Sequence, residues 1–106
     1  KTDAGKLRFG LIPVEAMIEI AKVFNLGDQK YPPQNWRKGI YWSRVYDALL
    51  RHVFAWAHGE SRDPETGCHH LASAIWNCMV LIVYEITNTA KNDIYMPLKN
   101  NFDQAC

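Results

Sequence analysis

The run Gly59-Glu60-Ser61-Arg62-Asp63-Pro64-Glu65-Thr66-Gly67-Cys68-His69-His70 gathers three carboxylates, an arginine and two histidines between apolar segments. Carboxylate oxygens bind hard cations, and imidazoles exchange protons near neutral pH. The run therefore suggests a metal or phosphate site. Glu60, Asp63 and Glu65 are the candidate metal ligands, reaching Mg²⁺ directly or through water. A competing role exists for some of them. Asp63-Pro64 is a turn-initiating pair, and Glu65 lies just ahead of a helix whose dipole favours negative charge.

Two further groups could join this run. His70, Ser73 and Asn77 are spaced i, i+3, i+7, so they share one stripe of an otherwise apolar helix. Buried polar groups cost about 1–3 kcal/mol each when unpaired, so the stripe faces either a ligand or an interhelical hydrogen-bond seam. Arg51-His52 lies on the preceding helix, where His52 falls on the side of Leu49 and Trp56. His52 meets His70 if the two helices pack antiparallel; otherwise it is an ordinary core histidine. The absence of C-x-x-C excludes a standard structural zinc site, and the absence of H-E-x-x-H counts against zinc at the histidines. P-loop and G-x-S-x-G scaffolds are absent as well.

A basic, aromatic loop supplies a different chemistry. Lys30-Tyr31 through Asn35-Trp36-Arg37-Lys38-Gly39 mixes cations, an amide and aromatic rings. Rings stack on nucleobases, and cations neutralise phosphates. Lys6 and Arg8 extend the same basic surface. Residues 1–38 carry seven Lys/Arg against four acids, and the remainder five against seven. A basic part facing an acidic loop suits a polyphosphate with its cation, although solvated surface has the same composition.

The elements that must position these groups are helical. After Pro13, the residues Val14, Met17, Ile18, Ala21 and Phe24 recur at helical spacing, and Gly27 is the expected stop. Residues 28–42 are expected as a loop. Ser43 is the expected N-cap of a second helix to about His58, closed by Gly59. Thr66 is the expected cap of a third, to about Thr87 or Asn88. That third helix is apolar nearly all round, which belongs at a core or an interface. No β-alternation appears. The class is all-α, a small bundle of about three main helices completed by homo-oligomerisation. Residues 1–90 form the domain, and 91–106 a C-terminal tail or arm.

One domain fits 106 residues, and a hydrophobic share of 48% argues against disorder. A net charge of +1 points to no direct nucleic-acid binding. Three widely spaced cysteines fit a reducing cytoplasm. No signal-peptide pattern is visible. The run Leu71 to Ile86, interrupted by Ser73, Asn77 and Glu85, reads as too short and too polar to span a bilayer. The chain opens on Lys1 rather than Met, as a trimmed piece would.

These residues, in order, carry a resemblance. Asp3-Ala4-Gly5-Lys6-Leu7-Arg8, Leu11-Ile12-Pro13, Ala21-Lys22-Val23-Phe24, Lys30-Tyr31, Asn35-Trp36, Gly39, Arg51-His52, Gly59-Glu60, Asp63-Pro64-Glu65-Thr66-Gly67 and His70-Leu71-Ala72 resemble the phage family of dATP/dGTP diphosphohydrolase N-terminal domains, from about Lys1 to Glu85. The resemblance implies a phage enzyme of the host cytoplasm that cleaves a purine dNTP to dNMP and pyrophosphate. It also implies kinship with MazG-type all-α pyrophosphatases, which are oligomeric, use Mg²⁺ and carry E-x-x-E and E-x-x-D motifs on helices. Here Glu60-Ser61-Arg62-Asp63 spells E-x-x-D, but Pro64 puts it in a loop, and Glu15 and Glu19 are four apart.

The expectation is thus a Mg²⁺-dependent purine dNTP pyrophosphohydrolase. Glu60, Asp63 and Glu65 hold the metal, and His52, His70 and Glu60 form the catalytic set. Lys6, Arg8, Lys30 and Arg51 bind phosphates, Asn35 and Trp36 contact base or sugar, and Asn77 lines the site. The alternative is a non-catalytic phage sponge that sequesters a nucleotide-derived immune signal on the same residues.

Overall fold

The computed structural model describes residues 4–94. The chain enters through an exposed arm with one 3-10 turn, Phe9–Leu11, and then forms α1 (Val14–Lys30), a 3-10 turn (Asn35–Lys38), α2 (Trp42–Ala57) and α3 (His70–Thr87). Among the described residues there is no strand, only an isolated antiparallel bridge between Arg62 and His69. The all-helical class is as expected from the sequence.

Each helix end departs from its expected signal for a local reason. α1 runs three residues past Gly27, and the Tyr31 N–H donates to the Gly27 carbonyl at 3.0 Å. The stop is Pro32-Pro33. A proline disfavours helical backbone in the residue before it, and Tyr31 is extended at φ −134°, ψ 165°. Ser43 sits inside the first turn of α2 rather than capping it. Its N–H and hydroxyl both donate to the Asp93 carboxylate, at 2.9 and 2.6 Å, and the Trp42 N–H donates to the Lys91 carbonyl. The orphan donors that open every helix are met here from the far end of the domain. Thr66 caps a turn instead of α3, its hydroxyl accepting from the Cys68 N–H. His69 is the N-cap, Nδ1 accepting from the Leu71 N–H at 3.1 Å. Asn88, left-handed at φ 53°, closes α3 where the sequence suggests.

α2 and α3 form an antiparallel hairpin, and α1 packs on α3. The core is Trp42, Val45, Val80 and Tyr84, with Trp36, Ile40, Trp76, Leu81 and Ile94 against it. Burying such side chains stabilises by about 1.5–3 kcal/mol each before entropy is counted. The Tyr84 hydroxyl donates to the Trp36 carbonyl at 2.5 Å, tying the 3-10 turn to α3. Gly39 lets the chain pass Ala90 closely. Its φ is +112°, and a Cβ there would sit 2.9 Å from the Ala90 Cβ.

α3 is buried along one side only; Ile75, Met79, Ile82 and Ile86 remain exposed. By length and composition α3 would suffice to cross a membrane, contrary to the reading of its polar interruptions. Two of those interruptions, Ser73 and Asn77, are buried against the bundle together with His70, while Glu85 is exposed. Residues 91–94 fold back onto the start of α2, and the rest of the expected tail lies outside the described residues.

Candidate active site

The acidic loop is a pinned turn. The Asp63 N–H donates to the Cys68 carbonyl and the His70 N–H to the Ser61 carbonyl, both at 2.8 Å. The Asp63 carbonyl accepts from Gly67 and Thr66, while its Oδ1 accepts from the Glu65 N–H at 2.9 Å. Arg62 clamps the outside, donating to the Gly67 carbonyl and to Glu19 of α1 at 2.9 Å. That arginine, with Lys22, holds the Glu19 carboxyl down at about 2. Asp63 has little freedom left and is half-buried.

Two histidines meet beneath this turn. His52 Nδ1 and His70 Nδ1 are 2.9 Å apart, and His70 Nε2 is 2.7 Å from Glu60 Oε1. Glu60 accepts the Nε2 proton of His70, so in a neutral His70 the Nδ1 carries a lone pair. His52 Nδ1 then carries the proton between the rings, and its Nε2 keeps a lone pair. Burial is the main cause holding the His52 pKa below the ordinary histidine value. The neighbouring His70 and Arg51 push the same way, and Asp63 opposes them. One ligand atom each from His52, Asp63 and His70 fall within 4.8 Å of one another.

The cluster opens on a cavity of about 240 Å³ lined by His52, Asp63, Thr66, Cys68, Ser73 and Asn77, with Val23, Leu26, Ala48 and Trp76 as apolar wall. Across Val23, Leu26 and Trp76 lies a larger cavity of about 470 Å³. Phe24, Tyr31, Trp36 and Trp76 give it aromatic walls, and Asp28, Lys30, Asn35 and Arg44 give it polar atoms. Phe24 packs at a tilt against both Trp36 and Trp76, with ring centres 6.3 and 6.1 Å apart.

The residues singled out in the sequence divide into three sets. His52, Glu60, Asp63, His70 and Asn77 come together at the smaller cavity or its back wall. Asn77 is buried, its amide donating to the Ser73 carbonyl at 3.0 Å. Lys30, Asn35 and Trp36 line the larger one. Lys6, Arg8 and Arg51 are exposed and line neither. Lys6 and Arg8 lie on the arm, and Arg51 is one residue round α2 from the cavity side. The expected metal set does not converge. Glu65 is exposed, and Glu60 is paired with His70, while the convergent donors among the described residues are two imidazoles and one carboxylate. Magnesium takes oxygen ligands, so the Mg²⁺ implied by resemblance fits this donor set poorly.

Trp76, Phe24, Arg44 and Cys68 were not anticipated at a site. Trp76 was within reach of the helical period, three residues after Ser73 and beside Asn77. Arg44 and Phe24 depend on how α1 docks, which no local pattern states.

A family model described as dATP/dGTP diphosphohydrolase, N-terminal, matches residues 1–94. A protein of Salmonella phage PMBT28 named dATP/dGTP diphosphohydrolase is 37% identical over 93 residues, covering 88% of this chain. The chain spans about a third of that relative's length, 31%. No solved structure matches.

Proposed function

The chain belongs to the dATP/dGTP diphosphohydrolase N-terminal family, and from that premise we propose that it binds a purine deoxynucleoside triphosphate and hydrolyses it to dNMP and pyrophosphate. One observation supports this above the others. A proton-handling cluster and an aromatic cavity share a wall at Val23, Leu26 and Trp76. A nucleotide needs that pair of surfaces, one for a ring and one for the phosphorus under attack.

In this reading the purine enters between Trp36, Phe24 and Trp76, and Asn35 or Asp28 meets a base edge. Aromatic stacking contributes about 1–3 kcal/mol per base. Lys30 and Arg44, at the same cavity, neutralise the triphosphate. The α-phosphorus lies in the smaller cavity. A water attacks it, the bond from phosphorus to the bridging oxygen breaks, and pyrophosphate leaves with that oxygen. The water's proton passes to the His52 Nε2 lone pair, which burial keeps available at neutral pH. Glu60 orients His70, and His70 orients His52. Such a phage enzyme would act on the nucleotide pool in the host cytoplasm.

The exposed row Ile75, Met79, Ile82 and Ile86 supports self-association in the same proposal, because a second copy would cover it. Light scattering behind a sizing column tests that point, and a monomer at every concentration removes it.

The activity is tested by incubating the chain with each dNTP, with and without divalent cations, and resolving products by chromatography. Conversion of dATP or dGTP to monophosphate and pyrophosphate, lost in His52→Ala, is the expected result. Intact nucleotide released on denaturing the protein would transfer the reading to sequestration. Neither cleavage nor binding would end both.

A further inference from the structure

We propose that His52 Nδ1, His70 Nδ1 and a carboxylate oxygen of Asp63 form a binding site for a first-row transition-metal cation, with Zn²⁺ preferred to Mn²⁺ and Mg²⁺. Three features of the cluster point there together, and none is explained by packing alone.

The first is convergence. One ligand atom each from His52, Asp63 and His70 fall within 4.8 Å of one another, and the two Nδ1 atoms are 2.9 Å apart. Ligand bonds of about 2.0–2.1 Å to a tetrahedral Zn²⁺ place donors about 3.3 Å apart. The nitrogens need only spread by a few tenths of an ångström, and the cation takes the place of the proton between them. The second feature is orientation from behind. Glu60 accepts from His70 Nε2 at 2.7 Å, which fixes the tautomer and aims the Nδ1 lone pair inward. Metal-ligating histidines almost always donate their other N–H to such a partner. This assigns Glu60, expected as a ligand, to the task of positioning one. The third is access. His52 and Asp63 border the cavity, so three protein ligands leave a coordination position open towards it. Closed structural sites take four protein ligands, while catalytic ones keep a place for water or substrate.

The preference among cations follows from the donors. Imidazole suits zinc and iron, whereas magnesium demands oxygen and keeps its waters, and manganese also favours oxygen donors. The pinned turn helps, because it holds Asp63 in place without the metal. With His52 Nδ1 on a cation its Nε2 would carry the ring proton, so the cation, by acidifying a bound water and polarising a phosphoryl oxygen, would take over the activation given to His52 in the metal-free chain. That use of the site rests on the nucleotide reading above; the binding itself does not.

The test uses the full chain, stripped with chelator and titrated calorimetrically with Zn²⁺, Mn²⁺ and Mg²⁺, with Co²⁺ absorption reporting the ligand field. Expected are stoichiometric binding of Zn²⁺, weaker binding of Mn²⁺, far weaker binding of Mg²⁺, and loss of the site in His52→Ala and in Asp63→Asn. Glu60→Gln should weaken affinity by about 10- to 100-fold. His58→Ala, on an exposed histidine, should change nothing. Circular dichroism checks that each variant folds, and buried His70 is left intact for that reason. Absence of binding, equal affinity for Mg²⁺, or binding untouched in both His52→Ala and Asp63→Asn overturns the site. Metal binding with every dNTP left intact overturns the nucleotide reading alone. Full dNTP cleavage by a chain that takes up none of these cations in the titration overturns the metal site alone.

Discussion

The two cavities on either side of Trp76 are built in opposite ways. The smaller one sets a few polar groups, His52 and Asp63 among them, in a mostly apolar wall and is backed by hydrogen bonds: the Glu60–His70–His52 line, and a turn that fixes Asp63 through its own backbone. The larger one is wide and aromatic, and its rim of Asp28, Lys30 and Arg44 is exposed. Groups that move protons or hold a cation need tight placement, because misplacement of about an ångström can cost a hundredfold in rate. A surface that stacks on a flat ring gains from area and tolerates looser placement. The difference separates a part suited to chemistry from a part suited to recognition.

The largest expected effect lies on the polar side. His52→Ala should lower kcat by about 100-fold or more while leaving KM for dATP nearly unchanged, measured by initial rates. A pure KM effect would erase the distinction drawn between the cavities. Next, Trp36→Ala should raise KM by about 5- to 150-fold with a much smaller change in kcat, from the loss of one stacking face. Equal losses in both parameters would mean that the aromatic cavity takes part in the chemistry.

Tyr84→Phe should cost about 1 kcal/mol of stability, read from urea unfolding, because it removes the donor to the Trp36 carbonyl. It should raise KM slightly and leave metal binding alone. The metal-free chain should also lose stability in acid. His52 has a folded pKa below 6.5, so the folded state binds its proton less readily than the unfolded state does. The contribution is complete above 6.5 and is lost as pH falls through the lowered value. Thermal midpoints across that range should fall in the wild type and fall less in His52→Ala. Smallest of all is Glu19→Gln. That exposed pair with Arg62 helps only above the ordinary carboxyl range and is gone as pH falls to about 2. A large effect at neutral pH would make the α1 tether part of the site.

The polar side was the more legible in sequence, for a physical reason. His70, Ser73 and Asn77 share a stripe by helical period, and His52 follows once two helices joined by a short loop pack antiparallel. What failed there was the role of individual carboxylates. E-x-x-D and a count of acids do not reveal that Glu60 turns to His70 while Glu65 faces solvent. Helix ends were readable to within a few residues. The misplaced caps at Ser43 and Thr66 arise from partners that spacing does not announce, Asp93 fifty residues away and the Cys68 N–H within the turn. The aromatic side was half legible. Lys30, Asn35 and Trp36 were found as one segment, but Phe24, Arg44 and Trp76 come from three helices and depend on tertiary docking.

The pairing of His52 with His70 spans 18 residues of chain, and that of His70 with Glu60 only 10. The Tyr84–Trp36 bond that fixes the aromatic wall spans 48. The entropy of closing a loop grows with the logarithm of its length, so the longer closure costs about 0.9 kcal/mol more than that between the two histidines. The chemical half belongs to one helical hairpin and closes on local contacts. The recognition half must recruit α1 and the segment before α2. As conditions weaken the fold, the aromatic wall should therefore open first, with the imidazole pair among the last tertiary contacts to part.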